Sequence, residues 1–179
     1  MKKIEVLISE EEIKKIIKEI SAKILKDAEK NKCRELNFIT VLEGARRFSE
    51  VLRKIIFEET KGKLNINNYN IKISSYQGTE SRKLKLEKEI KENLKKKNVI
   101  VIEDIIDTGK TMLFLKNYLL KEKRVASLKI ASLLSKPSRR IVDVKISYLG
   151  KEIPDVFVIG YGLDKDGQFR DLNYIGFIK

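Results

Sequence analysis

The sequence contains no histidine, only one cysteine, and no apolar run approaching the roughly 18 residues of a membrane-spanning helix. The absence of histidine removes the commonest general base and the commonest transition-metal ligand, so acid or base work falls to Asp, Glu, Lys or Tyr. Cys33 cannot form a disulfide within the chain. It fits a reducing compartment and reads as a small, partly buried residue rather than a nucleophile. The start, Met1-Lys2-Lys3, leads into a short alternating segment with no signal-peptide core, so a cytoplasmic protein with no membrane partner is expected. With 179 residues, and neither repeat nor linker, residues 1–179 are expected to form one domain whose core needs no disulfide staple.

Acidic residues are outnumbered: 39 Lys plus Arg face 26 Asp plus Glu, a net charge of +13. Such a balance attracts nucleic acid or a polyanionic small substrate. Residues 81–97 alone hold eight basic and three acidic side chains. Leu86, Ile90 and Leu94 fall there at helical spacing, which predicts a helix over Leu84 to Leu94 with most lysines on its solvated face.

The chain otherwise alternates between the two periods. Lys3 to Ile8 reads as an edge strand. Ser9, with Glu12 three residues on, is a capping-box signature for a helix whose buried stripe is Ile13, Ile16, Ile17, Ile20, Ile24 and Ala28. Leu36 to Leu42 is a strand, and Phe48, Val51, Leu52, Ile55 and Ile56 mark a second helix to about Glu59. Lys61 to Asn68 reads as a polar loop, Ile71 to Ser75 as a strand and Gln77 to Arg82 as a mobile loop. Further strands are expected at Val125 to Leu134, Val144 to Leu149, Val156 to Ile159 and Tyr174 to Ile178. The pattern fits an α/β fold, an open and mainly parallel sheet flanked by helices. Ligands of such sheets bind beyond the carboxyl ends of the strands.

The richest segment begins with Val99-Ile100-Val101-Ile102, an unbroken apolar run expected of a central strand covered on both faces. It ends in Glu103-Asp104-Ile105-Ile106-Asp107-Thr108-Gly109-Lys110-Thr111. Thr108 to Thr111 combine hydroxyls, a glycine that permits close backbone approach, and the start of a helix whose free N–H groups favour an anion. Gly109-Lys110-Thr111 matches the end of a nucleotide P-loop, but the position five residues earlier is Asp104 rather than glycine. The acids therefore belong to the ligand scheme, although Asp107 read alone could equally cap the helix.

The wording of that segment resembles the 5-phosphoribosyl-1-pyrophosphate (PRPP) motif of type I phosphoribosyltransferases, in particular the hypoxanthine-guanine branch. Four further stretches resemble the same family in the same order. They are Leu42-Glu43-Gly44, Ser74-Ser75-Tyr76 with Gly78-Thr79, Lys136-Pro137 after a strand, and Ile153 to Asp164 followed by Phe169-Arg170-Asp171-Leu172. Glu43 departs from the customary Lys. The resemblance implies the family fold with a small strand-rich hood, and transfer of a phosphoribosyl group to N9 of hypoxanthine or guanine with release of pyrophosphate.

By the same resemblance Asp107 is the general base, and Glu103 and Asp104 bind the ribose hydroxyls. Thr108, Gly109, Lys110 and Thr111 hold the 5-phosphate. Leu42, Glu43, Gly44 and Arg170 hold pyrophosphate, with Arg46 and Arg47 sharing the anion. Lys136, Phe157, Val158 and Asp164 form the purine pocket, and Ser75 and Tyr76 belong to a flexible lid. Mg²⁺ is the implied cofactor, near Glu103, Asp104 and Asp164. The partners are then small molecules, PRPP and a 6-oxopurine, rather than nucleic acid, and the assembly a homodimer or homotetramer. A xanthine-preferring relative, or a non-catalytic PRPP-sensing regulator that binds nucleic acid, is the alternative.

Overall fold

The computed structural model describes residues 4–77 and 82–178. Its centre is a six-stranded sheet of β2 (Glu35–Leu42), β3 (Asn65–Gln77), β4 (Arg82–Lys88), β5 (Asn98–Ile106), β6 (Ser127–Ser135) and β7 (Tyr148–Glu152), in the order β4-β3-β2-β5-β6-β7. Every pairing is parallel except β3 with β4. A second, antiparallel sheet joins β1 (Ile4–Ile8), β9 (Ile175–Ile178) and β8 (Val158–Ile159), which forms the expected hood.

The apolar run in β5 is buried on both faces, as its composition demands. Ile100 and Ile102 pack with Phe38 against α1 (Glu10–Lys30) and α2 (Arg46–Glu59). Val99 and Val101 pack with Ile39 on the opposite side, against α3 (Lys110–Asn117) and the π turn Tyr118–Glu122 that continues it. In α1, Ser9 Oγ accepts from the Glu12 amide at 3.2 Å, and three glutamates fill the positively polarised first turn. The predicted isoleucine stripe is buried throughout.

Three expectations are corrected. Leu84 to Leu94 is not a helix: residues 82–88 form β4, whose Leu86 lies opposite Ile73 of β3, and residues 89–97 are irregular. The alternation Lys83-Leu84-Lys85-Leu86-Glu87 has the period of a strand, and the pairing edge of β3 decides the matter. Ile90 and Leu94 are buried as expected, but from an irregular segment. β3 begins at Asn65, inside the expected polar loop, because its asparagines bond within the sheet: Thr40 Oγ1 donates to Asn68 Oδ1 at 2.7 Å, and Asn67 Nδ2 to Asn37 Oδ1 at 3.1 Å. β7 lies at Tyr148–Glu152, displaced toward the C-terminus from the expected strand at Val144 to Leu149. Ser75 and Tyr76 fall at the end of β3, while Gly78 and Thr79 lie outside the described residues.

Candidate active site

The chain runs from β2 to β3 on one side and later places β5 on the other side of β2. This leaves a topological switch point between the carboxyl ends of β2 and β5, where open α/β sheets form a crevice. The loop Leu42 to Ala45 leaves one strand there, and Asp107 to Gly109 leaves the other. Two adjoining clefts, of about 250 and 330 Å³, open at this point and share Gly44 and Asp104. The first is lined by Leu42, Ser74, Glu103 and Thr111 among others, the second by Glu43, Asp107, Lys136, Phe157, Val158, Asp164 and Arg170. Most of the expected site residues are therefore gathered. Thr108, Gly109 and Lys110 line neither cleft, although Thr111 in the same turn lines the first.

Gly44 is wedged between two neighbours. A Cβ there would lie 1.7 Å from Asp104 Oδ2, and a Cβ on Gly162, whose φ is +100°, would lie 2.2 Å from the Gly44 carbonyl oxygen. Only glycine permits this approach of loop, strand end and hood. The Leu42–Glu43 peptide is cis. Asp104 Oδ1 accepts from the Ile105 amide at 2.8 Å. Burial pushes the Asp104 carboxyl up, opposed by that amide, its own amide, Glu103 and the charge of Arg170. Glu103 is pushed well above the ordinary carboxylate range by burial and by the adjacent Asp104. Its Oε2 is buried with no hydrogen-bond partner among the described residues. Such an atom calls for a cation or a hydroxyl group.

Ala45 and Gly109, at the N-cap positions of the two helices that start at the site, supply no side-chain cap, in contrast to Ser9 of α1, and at α3 the Lys110 amide donates to Thr108 Oγ1 at 3.4 Å. Gly109 precedes α3 with φ +86°, and a Cβ there would lie 2.7 Å from the Val142 carbonyl oxygen, so the turn requires glycine. The Thr108 carbonyl accepts from the Ile141 and Val142 amides, both at 3.0 Å. Arg46 and Arg47 engage different partners. Arg46 donates through Nε and Nη2 to Glu43 Oε2 at 3.0 and 2.8 Å, so the departure at position 43 is answered by a cation three residues on. Arg47 reaches the hood instead, donating to the Leu172 carbonyl at 3.0 Å and to Asn173, with its guanidinium 4.6 Å from the centroid of Tyr161.

In the second cleft Lys136 is only 7% exposed at the end of β6, whereas Phe157 is 58% exposed. A buried cation and a bared aromatic face on one cleft suit a flat ring with an acceptor at its edge. Asp164 is occupied: its Oδ1 pairs with Arg170 Nη2 at 2.7 Å and its Oδ2 accepts from the Gly167 amide at 2.7 Å. Arg170 Nη1 also donates to the Gly162 carbonyl at 2.9 Å. Among the described residues no three acids are placed to hold a metal ion, so Glu103, Asp104 and Asp164 do not form a protein cage. Two charged residues received no role in the sequence reading. Arg139 Nε donates to Asp107 Oδ1 at 2.6 Å, and its Nη1 lies 3.4 Å from Asp155 Oδ2. Neither has a periodicity that marks it, and only the quoted Ile153 to Asp164 stretch brought Asp155 into view.

The chain is similar to known proteins along nearly its whole length. A family model described as phosphoribosyl transferase domain matches residues 7–166. The chain is 37% identical over 177 residues to a hypoxanthine-guanine phosphoribosyltransferase of Staphylococcus aureus, covering 98% of this chain and 93% of that one. It is similar to the crystal structure of a hypoxanthine-guanine phosphoribosyltransferase from Bacillus anthracis, with TM-score 0.88, 39% identity and full coverage of both chains. The hypoxanthine phosphoribosyl transferase of Trypanosoma cruzi superposes with TM-score 0.88 at 30% identity, over 98% of this chain and 91% of that one.

Proposed function

Because this chain belongs to the phosphoribosyl transferase family, we propose that it is a purine salvage enzyme that transfers the 5-phosphoribosyl group of PRPP to N9 of hypoxanthine or guanine. The observation that carries this reading is the meeting of two clefts at Gly44 and Asp104, one rich in oxygen donors and the other pairing buried Lys136 with exposed Phe157. PRPP would lie in the first, with its leaving group over Leu42, Glu43, Gly44 and Arg170. Its 5-phosphate would sit at the start of α3, held by Thr108, Gly109, Lys110 and Thr111.

The base would stack on Phe157, present its edge to the Val158 backbone, and take a hydrogen bond from Lys136 at the carbon-six oxygen. Adenine would meet that donor with another donor. Held as its N7–H tautomer, hypoxanthine offers the N9 lone pair to ribose carbon one. The N9–carbon bond forms as the bond from that carbon to pyrophosphate breaks, and Asp107 accepts the N7 proton. Ser75 and Tyr76, at the end of β3, belong to the segment that would shield the ribosyl cation-like transition state from water.

The orphaned Glu103 oxygen beside Asp104 fits Mg²⁺, which binds through one or two carboxylates with substrate oxygens and water completing the shell. Asp164, tied to Arg170, would reach the ion only through water. The ion would supply charge neutralisation at the departing pyrophosphate. Initial rates with Mg²⁺, PRPP and each of hypoxanthine, guanine, xanthine, adenine and uracil test the reading. Nucleotide formation from a 6-oxopurine that stops on chelation of the metal is expected. No product with any 6-oxopurine overturns it.

A further inference from the structure

We infer that Arg139 is the positioning residue of the transfer reaction, holding Asp107 directly and, through Asp155, linking it to Lys136. The inference rests on the transferase reading and deepens it.

The segment after β6 wraps the loop that carries Asp107. The Lys136 amide donates to the Ile106 carbonyl at 2.9 Å, and the Ile141 and Val142 amides donate to the Thr108 carbonyl at 3.0 Å, so the backbone is held on both sides of position 107. Arg140 Nη2 donates to Ser135 Oγ at 2.7 Å and pins the 3-10 turn Pro137–Arg139 to the strand end. Arg139 leaves this fixed turn and takes Asp107 Oδ1 at 2.6 Å. Beyond it, Asp155 lies 3.4 Å from Arg139 and 4.0 Å from Lys136 Nζ. Asp107 and Lys136, which both line the second cleft, are thus joined through Arg139 and Asp155 in a chain of alternating sign.

Stability does not explain the Arg139–Asp107 pair. The side chains of Arg139 and Asp107 are 45% and 39% exposed, and pairs so wet contribute little to folding. The geometry of the substrate does explain it. N7 and the carbon-six oxygen are neighbours on one edge of a 6-oxopurine, so the proton acceptor for one and the donor to the other must keep a set separation. A free Asp side chain would sample several rotamers, and misplacement of a proton acceptor is costly in rate.

The test is a double-mutant cycle on kcat with hypoxanthine, with thermal midpoints to verify folding. Turnover of the unaltered enzyme is the control, because its absence would refute the transferase reading and leave nothing for Arg139 to position. Given an active enzyme, Arg139→Gln is expected to lower kcat about tenfold or more while the KM for PRPP stays within about twofold. Arg139→Lys is expected to recover most of the loss. In an Asp107→Asn background, Arg139→Gln should change kcat less than about twofold, since the residue it positions is gone. Equal losses in both backgrounds, or an unchanged kcat in the single variant, would overturn the inference. Asp155→Asn probes the far end of the link: a fall in kcat smaller than that of Arg139→Gln is expected, and a larger fall contradicts the order of the chain.

Discussion

Gly44 and Asp107 make the two sharpest demands at the scale of single residues. The missing side chain at Gly44 lets the Asp104 carboxyl lie where a Cβ would be, and Asp104 cannot retreat cheaply because the Ile105 amide holds its other oxygen. Gly44→Ala should therefore raise the KM for PRPP at least about tenfold, which steady-state kinetics at saturating hypoxanthine would show; an unchanged KM would mean the two clefts do not share this wall. Asp107 stands on the other side of the chemistry. Asp107→Ala should lower kcat about a hundredfold or more, the range for loss of a general base, with the KM for PRPP little altered. A variant turning over at the normal rate would leave Asp107 as a loop residue held by Arg139.

Elements differ in how openly the sequence announces them. Helix α1 was legible because its cap, acidic first turn and isoleucine stripe all agree, and β5 because an unbroken β-branched run has few other homes. The β4 segment was not, because Leu86, Ile90 and Leu94 mimic a helical stripe although they belong to a strand and an irregular stretch that merely share a buried side. Only the partner edge of β3 distinguishes the two, and that lies in no local window. The polar links between elements are equally silent in sequence. Asp27 near the end of α1 pairs with Lys129 of β6 at 2.6 Å and accepts from the Tyr148 hydroxyl of β7 at 2.8 Å. The bonds from Lys129 and Tyr148 hold the Asp27 carboxyl below its usual range, so its contribution to stability is present above the unfolded value and lost as pH falls through the folded one. Asp27→Asn should thus narrow the gap in thermal midpoint between neutral pH and pH values below about 4, and a gap as wide as before would show the link to be inert.

At the scale of the whole molecule, strand order carries the function. The reversal between β2 and β5 brings residues 42–44 to residues 103–111, and the hood lowers Phe157, Asp164 and Arg170 onto the same crevice. Lys136, Phe157 and Arg170 were legible as a set only through resemblance, since singly each reads as ordinary core or rim. Arg139 and Asp155 were not legible, because Arg139 meets Asp107 across 32 positions and Asp155 across 16, and neither distance leaves a pattern in the chain. The net charge of +13 is compatible with a polyanionic substrate and requires no nucleic acid. Group transfer with water excluded is tested most directly by following nucleotide and pyrophosphate together from PRPP, Mg²⁺ and hypoxanthine. The expected result is one N9-linked inosine monophosphate for each pyrophosphate released. Pyrophosphate released without nucleotide, or neither product, would contradict it.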